Sequence, residues 1–251
     1  MRALHRTLAA TFLTLGFLAC GDDLTTEAAG TTPGPTTPQG PSAVPPNTAP
    51  LAAAGIDQTV ECATHSGSFV NLTSVGSSDS DGRIVLYEWF ENGELIATGP
   101  TPSVTLALGV HSLILRVRDD DGGTNDDLVV VSVQDTRAPT LTMNVTPTRL
   151  WPPNHTMRLV ASDVVATDAC DPKPSLAVTV TSDEPINGLG DGDTAPDWSI
   201  EQDAGGVVDV WVRSERSGLG DGRVYSLGAI ATDGSGNGTS SAGTVRVPHN
   251  Q

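Results

Sequence analysis

The chain has 251 residues, room for one or two ordinary domains, and 37% hydrophobic content with four Phe, two Tyr and four Trp favours two modest cores over one large one. Thirteen basic residues against 30 acidic ones leave a net charge of -17, which repels phosphate backbones and anionic headgroups and excludes nucleic acid as a partner. Thr, Val, Gly and Pro are plentiful and strong helix formers scarce, so the predicted class is all-β.

Residues 1–19 read "MRALHRTLAATFLTLGFLA", with Arg2 and Arg6 ahead of an apolar run from Leu8 to Ala19. The run is short for a bilayer span and fits an export signal. Cys20 follows small Ala19 and apolar Leu18 and precedes "GDD". This stretch resembles a bacterial lipoprotein signal, with Phe17 where such signals usually carry leucine. The resemblance implies cleavage before Cys20 and lipidation of that residue. Membrane attachment would then come from acyl chains, since so acidic a chain does not seek an anionic surface. The expected location is the cell envelope, at the outer membrane or cell surface.

Residues 20–49 are rich in Thr, Pro and Gly and nearly free of large apolar side chains. Such a segment cannot bury enough surface to fold and is predicted to be a disordered tether.

Beyond it, period-two segments alternate with turn signals, the pattern of a β-sandwich. In "RIVLYEWF" Val85, Tyr87 and Trp89 share one face; in "HSLILRVRD" Leu113, Leu115 and Val117 do; in "DLVVVSVQD" Val129, Val131 and Val133 do. The second half answers with Val208, Val210 and Val212, then with Tyr225, Leu227, Ala229 and Ala231. "HSLILRVRDDDGG" superposes on "YSLGAIATDGSG", each an alternating strand ending in an Asp and Gly-rich turn. The expectation is two tandem immunoglobulin-like β-sandwiches after the signal peptide and linker, residues 50–135 and 136–251, parting near "QDTRAPT".

"AGIDQTVEC", "GSSDSDGRIVLYEW" and "GVHSLILRVRDDDGGTNDDLVVVSV" resemble the PKD family of immunoglobulin-like modules over residues 50–135. Phe90, Glu91, Asn92 and Gly93 stand where that family usually has "DFGDG" after the tryptophan, which marks a divergent branch. "LWPPNHTM", "ATDACDP", "NGLGDGDTAPDW" and "ATDGSGNG" resemble a further bacterial immunoglobulin-like module. The PKD resemblance implies a spacer, or contact with proteins and polysaccharides, in place of catalysis. Relatives of the second module carry extra cysteines where this chain has Leu176 and Ala231.

"RDDDGGTNDD", residues 118–127, holds five carboxylates in ten positions. In a sandwich of this topology it emerges at the same end as "SSDSDG". Asp79, Asp81, Asp119, Asp120 and Asp121 are therefore expected to converge, offering the oxygens calcium prefers. Asp168, Asp171 and Asp233 offer a similar set near the junction, and Asp191, Asp193 and Asp197 cluster in one long loop. The competing reading is that Asp and Gly here serve turn geometry and solvation. No segment has the EF-hand pattern.

Paired acids on glycine-flanked loops do not suit a glycosidase, which needs two carboxyls at a set separation in a cleft. His5, His65, His111, His155 and His249 are scattered, with neither an "HExxH" pair nor a "GxSxG" elbow. No catalytic residue is assigned, and a hydrolase ranks last among the readings. Trp211 and Arg213 are expected on an outward face, where they could stack on a sugar or a partner, so a carbohydrate-binding accessory role is the alternative. Pro152 and Pro153 predict an edge or strand switch with Trp151 packed beneath and His155 capping a turn. Cys62 and Cys170 fall in different modules and are expected as buried free thiols.

Overall fold

The computed structural model describes residues 44–186, 195–218 and 220–250. The export signal, Cys20, most of the tether, and Asp191 and Asp193 lie outside the described residues.

The architecture is all-β. Strands β1 (Gln58–Glu61), β7 (Thr124–Gln134), β6 (Gly109–Asp119), β3 (Ile84–Glu91) and β4 (Glu94–Thr98) form a five-stranded sheet in that order. Strands β2 (Ser68–Asn71) and β5 (Ser103–Leu106) form a two-stranded sheet. Val70, Val104 and Leu106 of the small sheet share one core with Trp89, Leu113, Leu115, Val117, Val129, Val131 and Val133 of the large one. Strand β1 runs parallel to β7, Gln58 beside Val131, while the other pairs are antiparallel.

A second core lies between the four-stranded sheet β11 (Trp198–Gln202), β12 (Val208–Arg213), β9 (Met157–Thr167), β8 (Thr140–Val145) and the three-stranded sheet β10 (Ser175–Ser182), β13 (Gly222–Thr232), β14 (Gly238–Pro248). Val160, Val164, Val208, Val210 and Val212 meet Val180, Tyr225, Leu227, Ala229, Val245 and Val247. Leu176 and Ala231 are direct cross-strand partners.

Alternation predicted the inward faces well, because one buried face forces every second residue inward. Val85 is the exception. The β3–β6 register shifts between Ile84 and Leu86, so Ile84 packs on the core and Val85 is exposed. Such an irregularity inserts one residue and reverses the phase beyond it.

Two further expectations are corrected. Trp151 is 42% exposed, and its neighbour Leu150 is the buried side chain instead. Cys62 and Cys170 are joined in a disulfide, with Cα atoms 6.0 Å apart across 108 residues of sequence. Cys170 packs against the first core, so a loop of the second sandwich meets the first there, a closeness that sequence separation conceals. At the end of the segment read as a tether, Asn47 donates to the Asp119 carboxylate (3.0 Å) and the Thr48 amide to Asp81 (2.9 Å).

Candidate functional site

The acidic rim of the first sandwich is built by a turn that recurs three times. Asp119 accepts the Asp121 and Gly123 amides on Oδ1, at 3.0 and 2.7 Å. Asp203 does the same with Gly205 and Val207 (2.8 and 2.9 Å), and Asp233 with Ser235 and Asn237 (2.9 and 2.8 Å). In each, the residue three after the Asp is a glycine at positive φ: Gly122 (94°), Gly206 (87°) and Gly236 (92°). Such a φ favours glycine, and the carboxylate satisfies two amides that the tight connection leaves without ladder partners. A side-chain amide then completes two of the turns, Asn47 on Asp119 Oδ2 and Asn237 on Asp233 Oδ2 (2.9 Å).

This geometry resolves most of the carboxylates in residues 118–127. The Asn47 hydrogen bond, with the Gly123, Asp121 and Gly122 amides, lowers the Asp119 pKa against its burial. Asp120 accepts the Arg83 amide (3.0 Å) and Asp126 pairs bidentately with Arg116 (2.8 and 2.7 Å). Asp127 accepts the Ala54 amide at 2.7 Å. Asp121 contributes its amide to the turn and is exposed.

Asp79 is different. Both its oxygens are buried without a hydrogen-bonded partner. Burial raises its pKa, against the pull of the nearby Asp81 amide, and the charges of Asp81 and Asp119 add to the rise. An Asp79 oxygen and an Asp120 oxygen both lie within 2.7 Å of the point a Cβ on Gly82 would occupy. Asp79, Asp81, Asp119 and Asp120 thus gather around one loop crossing, with Gly82 leaving the space between them.

At the second rim, Asp168 accepts the Cys170 and Asp171 amides (both 2.8 Å), and Asp171 accepts the Gly234 amide (2.8 Å). Asp135, Asp168 and Cys170 bring potential ligand atoms within 4.8 Å of one another. The Cys170 sulfur is committed to its disulfide and offers no thiolate.

The binding pair expected at Trp211 and Arg213 is not presented as one surface. Arg213 is 8% exposed and donates to the carbonyls of His155 (2.7 Å) and Pro196 (3.0 Å). Strand β12 ends at this residue, and the guanidinium turns inward to carbonyls that have no strand partner. Trp211 is half-buried, its indole N–H enclosed without an acceptor. His155 lies in the left-handed region (φ 61°) and its amide donates to Ser214 O at 2.9 Å.

Sequence reasoning missed a buried charge cluster beside Arg213. Arg223, 0% exposed, donates from Nη1 to Asp197 (2.7 Å), Glu215 (3.1 Å) and the Tyr225 hydroxyl (3.1 Å), and from Nε to Glu184 (3.2 Å). Burial opposes the guanidinium charge, but Tyr225, Asp197 and Glu184 outweigh it and raise the Arg223 pKa. Burial raises Glu215, and it pushes the Tyr225 hydroxyl up to about 12. A signal was present: Arg223 shares the inward phase of Tyr225, Leu227, Ala229 and Ala231.

The paired sheets and the turns at their rims define an all-β protein of immunoglobulin-type β-sandwiches. No family model matches the chain, and no curated protein matches it by sequence. Among solved structures, it is similar to the CbhA fibronectin(III)-like modules of Clostridium thermocellum, at 24% identity and a TM-score of 0.29 over 35% of this chain and 99% of that one. It is similar to the PKD1 domain of Vibrio anguillarum Epp at 30% identity and a TM-score of 0.28, over 36% of this chain and 100% of that one. A structure of carbohydrate-binding modules from the β-sandwich superfamily shows 16% identity and a TM-score of 0.32 over 74% of this chain, which spans 59% of that chain.

Proposed function

We propose that this is an exported, lipid-anchored cell-envelope protein whose sandwiches act as a non-catalytic spacer or adhesion module, residues 50–135 being a divergent PKD domain and 136–251 a second immunoglobulin-like module. The observation that carries this reading is how the polar groups are used. The rim carboxylates cap hairpins, and the buried ones hold arginines inside the second sandwich. A disulfide joining the first core to a loop of the second sandwich suits an oxidising compartment outside the cytoplasm and a pair of modules that keeps its spacing. Cell fractionation tests the anchor: Cys20→Ala should move the protein from the membrane fraction to the soluble one, and retention in the membrane would refute it.

Calcium belongs to the same reading. Asp79, Asp81 and Asp120 would hold the ion, with Asp119 fixing the turn beside them and Asp121 at the exposed margin. The support is Asp79, whose two buried oxygens make no hydrogen bond of full geometry although the Asp81 amide lies near, a state that native proteins rarely leave unexplained. Calcium titration of chelator-treated protein should raise the melting temperature, and Asp79→Asn should abolish the rise. Because burial raises the Asp79 pKa, protons compete with the ion, so affinity should weaken as pH falls. No thermal shift at millimolar calcium would remove the ion from the account.

A carbohydrate-binding accessory role is the alternative. It loses its expected contact pair because Arg213 is buried. A glycan array comparing wild type with Trp211→Ala distinguishes it from the spacer reading.

A further inference from the structure

A recess of about 690 Å³ opens at one end of the second sandwich, lined by Arg149, Asp221, Arg246 and His249. Arg149 and Arg246 are set side by side by an isolated parallel bridge, in which the Leu150 amide donates to Arg246 O and the Arg246 amide to Thr148 O, both at 2.9 Å. Both side chains are exposed. Their hydrogen bonds go to backbone carbonyls, Arg149 to Asn250 O (3.2 Å) and Arg246 to Asp221 O (3.3 Å). Among the described residues neither is ion-paired, although Asp221 lines the same recess.

Arg216 adds a third guanidinium at this end. It donates to Ser217 O (3.0 Å) and to His249 O (3.1 Å), which ties it to the recess wall, and its Nε is buried without an acceptor. In a chain with 13 cations and 30 anions, carboxylates to neutralise these arginines were available in plenty, yet the fold meets them with uncharged carbonyls. Each guanidinium retains N–H groups beyond those it has spent, arranged in the planar fork that matches an oxyanion. Two adjacent forks bind such a group through charge-assisted hydrogen bonds that a neutral ligand cannot replace. The volume falls in the range of small-molecule sites and accommodates more than a bare ion.

We propose that the Arg149–Arg246 recess binds an oxyanionic group, a carboxylate or a phosphate, carried by an external ligand. This stands apart from the calcium and anchoring readings, since it lies on the second sandwich and uses none of their residues. The test is calorimetric titration of the full chain at low ionic strength with sodium pyrophosphate and, separately, with oligogalacturonate, using neutral dextran as control. Binding of either charged probe with none to dextran is expected, weakening as salt rises. Preference for oligogalacturonate would assign a carboxylate source, and preference for pyrophosphate a phosphate source. Arg149→Gln with Arg246→Gln should cut affinity at least tenfold at unchanged melting temperature, while Arg116→Gln on the first sandwich should leave it intact. Should the double variant fold poorly, the Lys pair keeps the charge, loses the fork and should bind with intermediate affinity. Heat from neither charged probe, or equal affinity in the double Gln variant, would overturn the assignment.

Discussion

Arg223 shows how one residue can organise the interior of a sandwich. Its guanidinium sits where an apolar side chain would continue the row of Tyr225 and Leu227, and it survives there because Asp197, Glu215 and Glu184 surround it. Burying a paired charge adds little net stability, whereas stripping away one partner leaves the rest without compensation. Arg223→Met should therefore cost about 3–5 kcal/mol, read from the urea midpoint, because Asp197 would remain buried without its cation and Glu215 would keep as its cation only Arg213, 3.8 Å away. The loss should shrink at low pH. Glu215 has a raised pKa in the folded state, so the folded form holds its proton more firmly and the associated stability is present below the usual carboxylate range and lost as pH rises through the elevated value. Without Arg223 that elevation grows, and acidification relieves the variant more than the wild type.

At the scale of elements, the hairpin turn with an Asp at its first position is the repeating device. It closes β6 to β7, β11 to β12 and β13 to β14 with one pattern of amide acceptance. The resemblance of "RVRDDDGG" to "ATDGSG" in the sequence is thus a resemblance of hydrogen bonds, and the turn glycine is part of it. Gly236→Ala would force a side chain into the left-handed region at φ 92°, with nothing within 4 Å of the added Cβ to add a clash. The expected cost is about 1–2 kcal/mol, measured by thermal melting, with the strain confined to backbone conformation. A substitution that left the melting temperature unchanged would show that the turn relaxes to another type.

For the molecule as a whole, the decisive bond joins Cys62 to Cys170. A crosslink closing 108 residues removes a large share of the unfolded chain's freedom, and native disulfides of this kind contribute about 2–5 kcal/mol. Paired Cys62→Ser and Cys170→Ser substitutions should lower stability by that amount in chemical denaturation. They should also speed proteolysis in the connection between Gln134 and Thr140, since fewer bonds would then hold the modules together. The Asn237 side chain, which donates to Asp135 O at 3.0 Å, is one contact that would remain.

Much of the fold was legible because burial on one face of a strand imposes period two, and Leu113, Leu115, Val117, Val129 and Val131 obey it without exception. Val85 departed where a single inserted residue reversed the phase, and Arg213 where the strand ran out; neither event leaves a mark in composition. The convergence of Asp79, Asp81, Asp119 and Asp120 was readable from topology, since loops at one end of a sandwich must meet. What each carboxylate does there was not, because a carboxylate that caps a turn and one that stands buried with no hydrogen bond of full geometry are the same letter in the sequence.

By itself, then, the order of residues determined the class of fold, the inward faces and the turns, all of which depend on neighbours a few positions away. The disulfide, the caged Arg223 and the pairing of Arg149 with Arg246 were decided only in three dimensions. Each joins residues whose separation along the chain says nothing of their separation in space, and local patterning carries no information about such meetings.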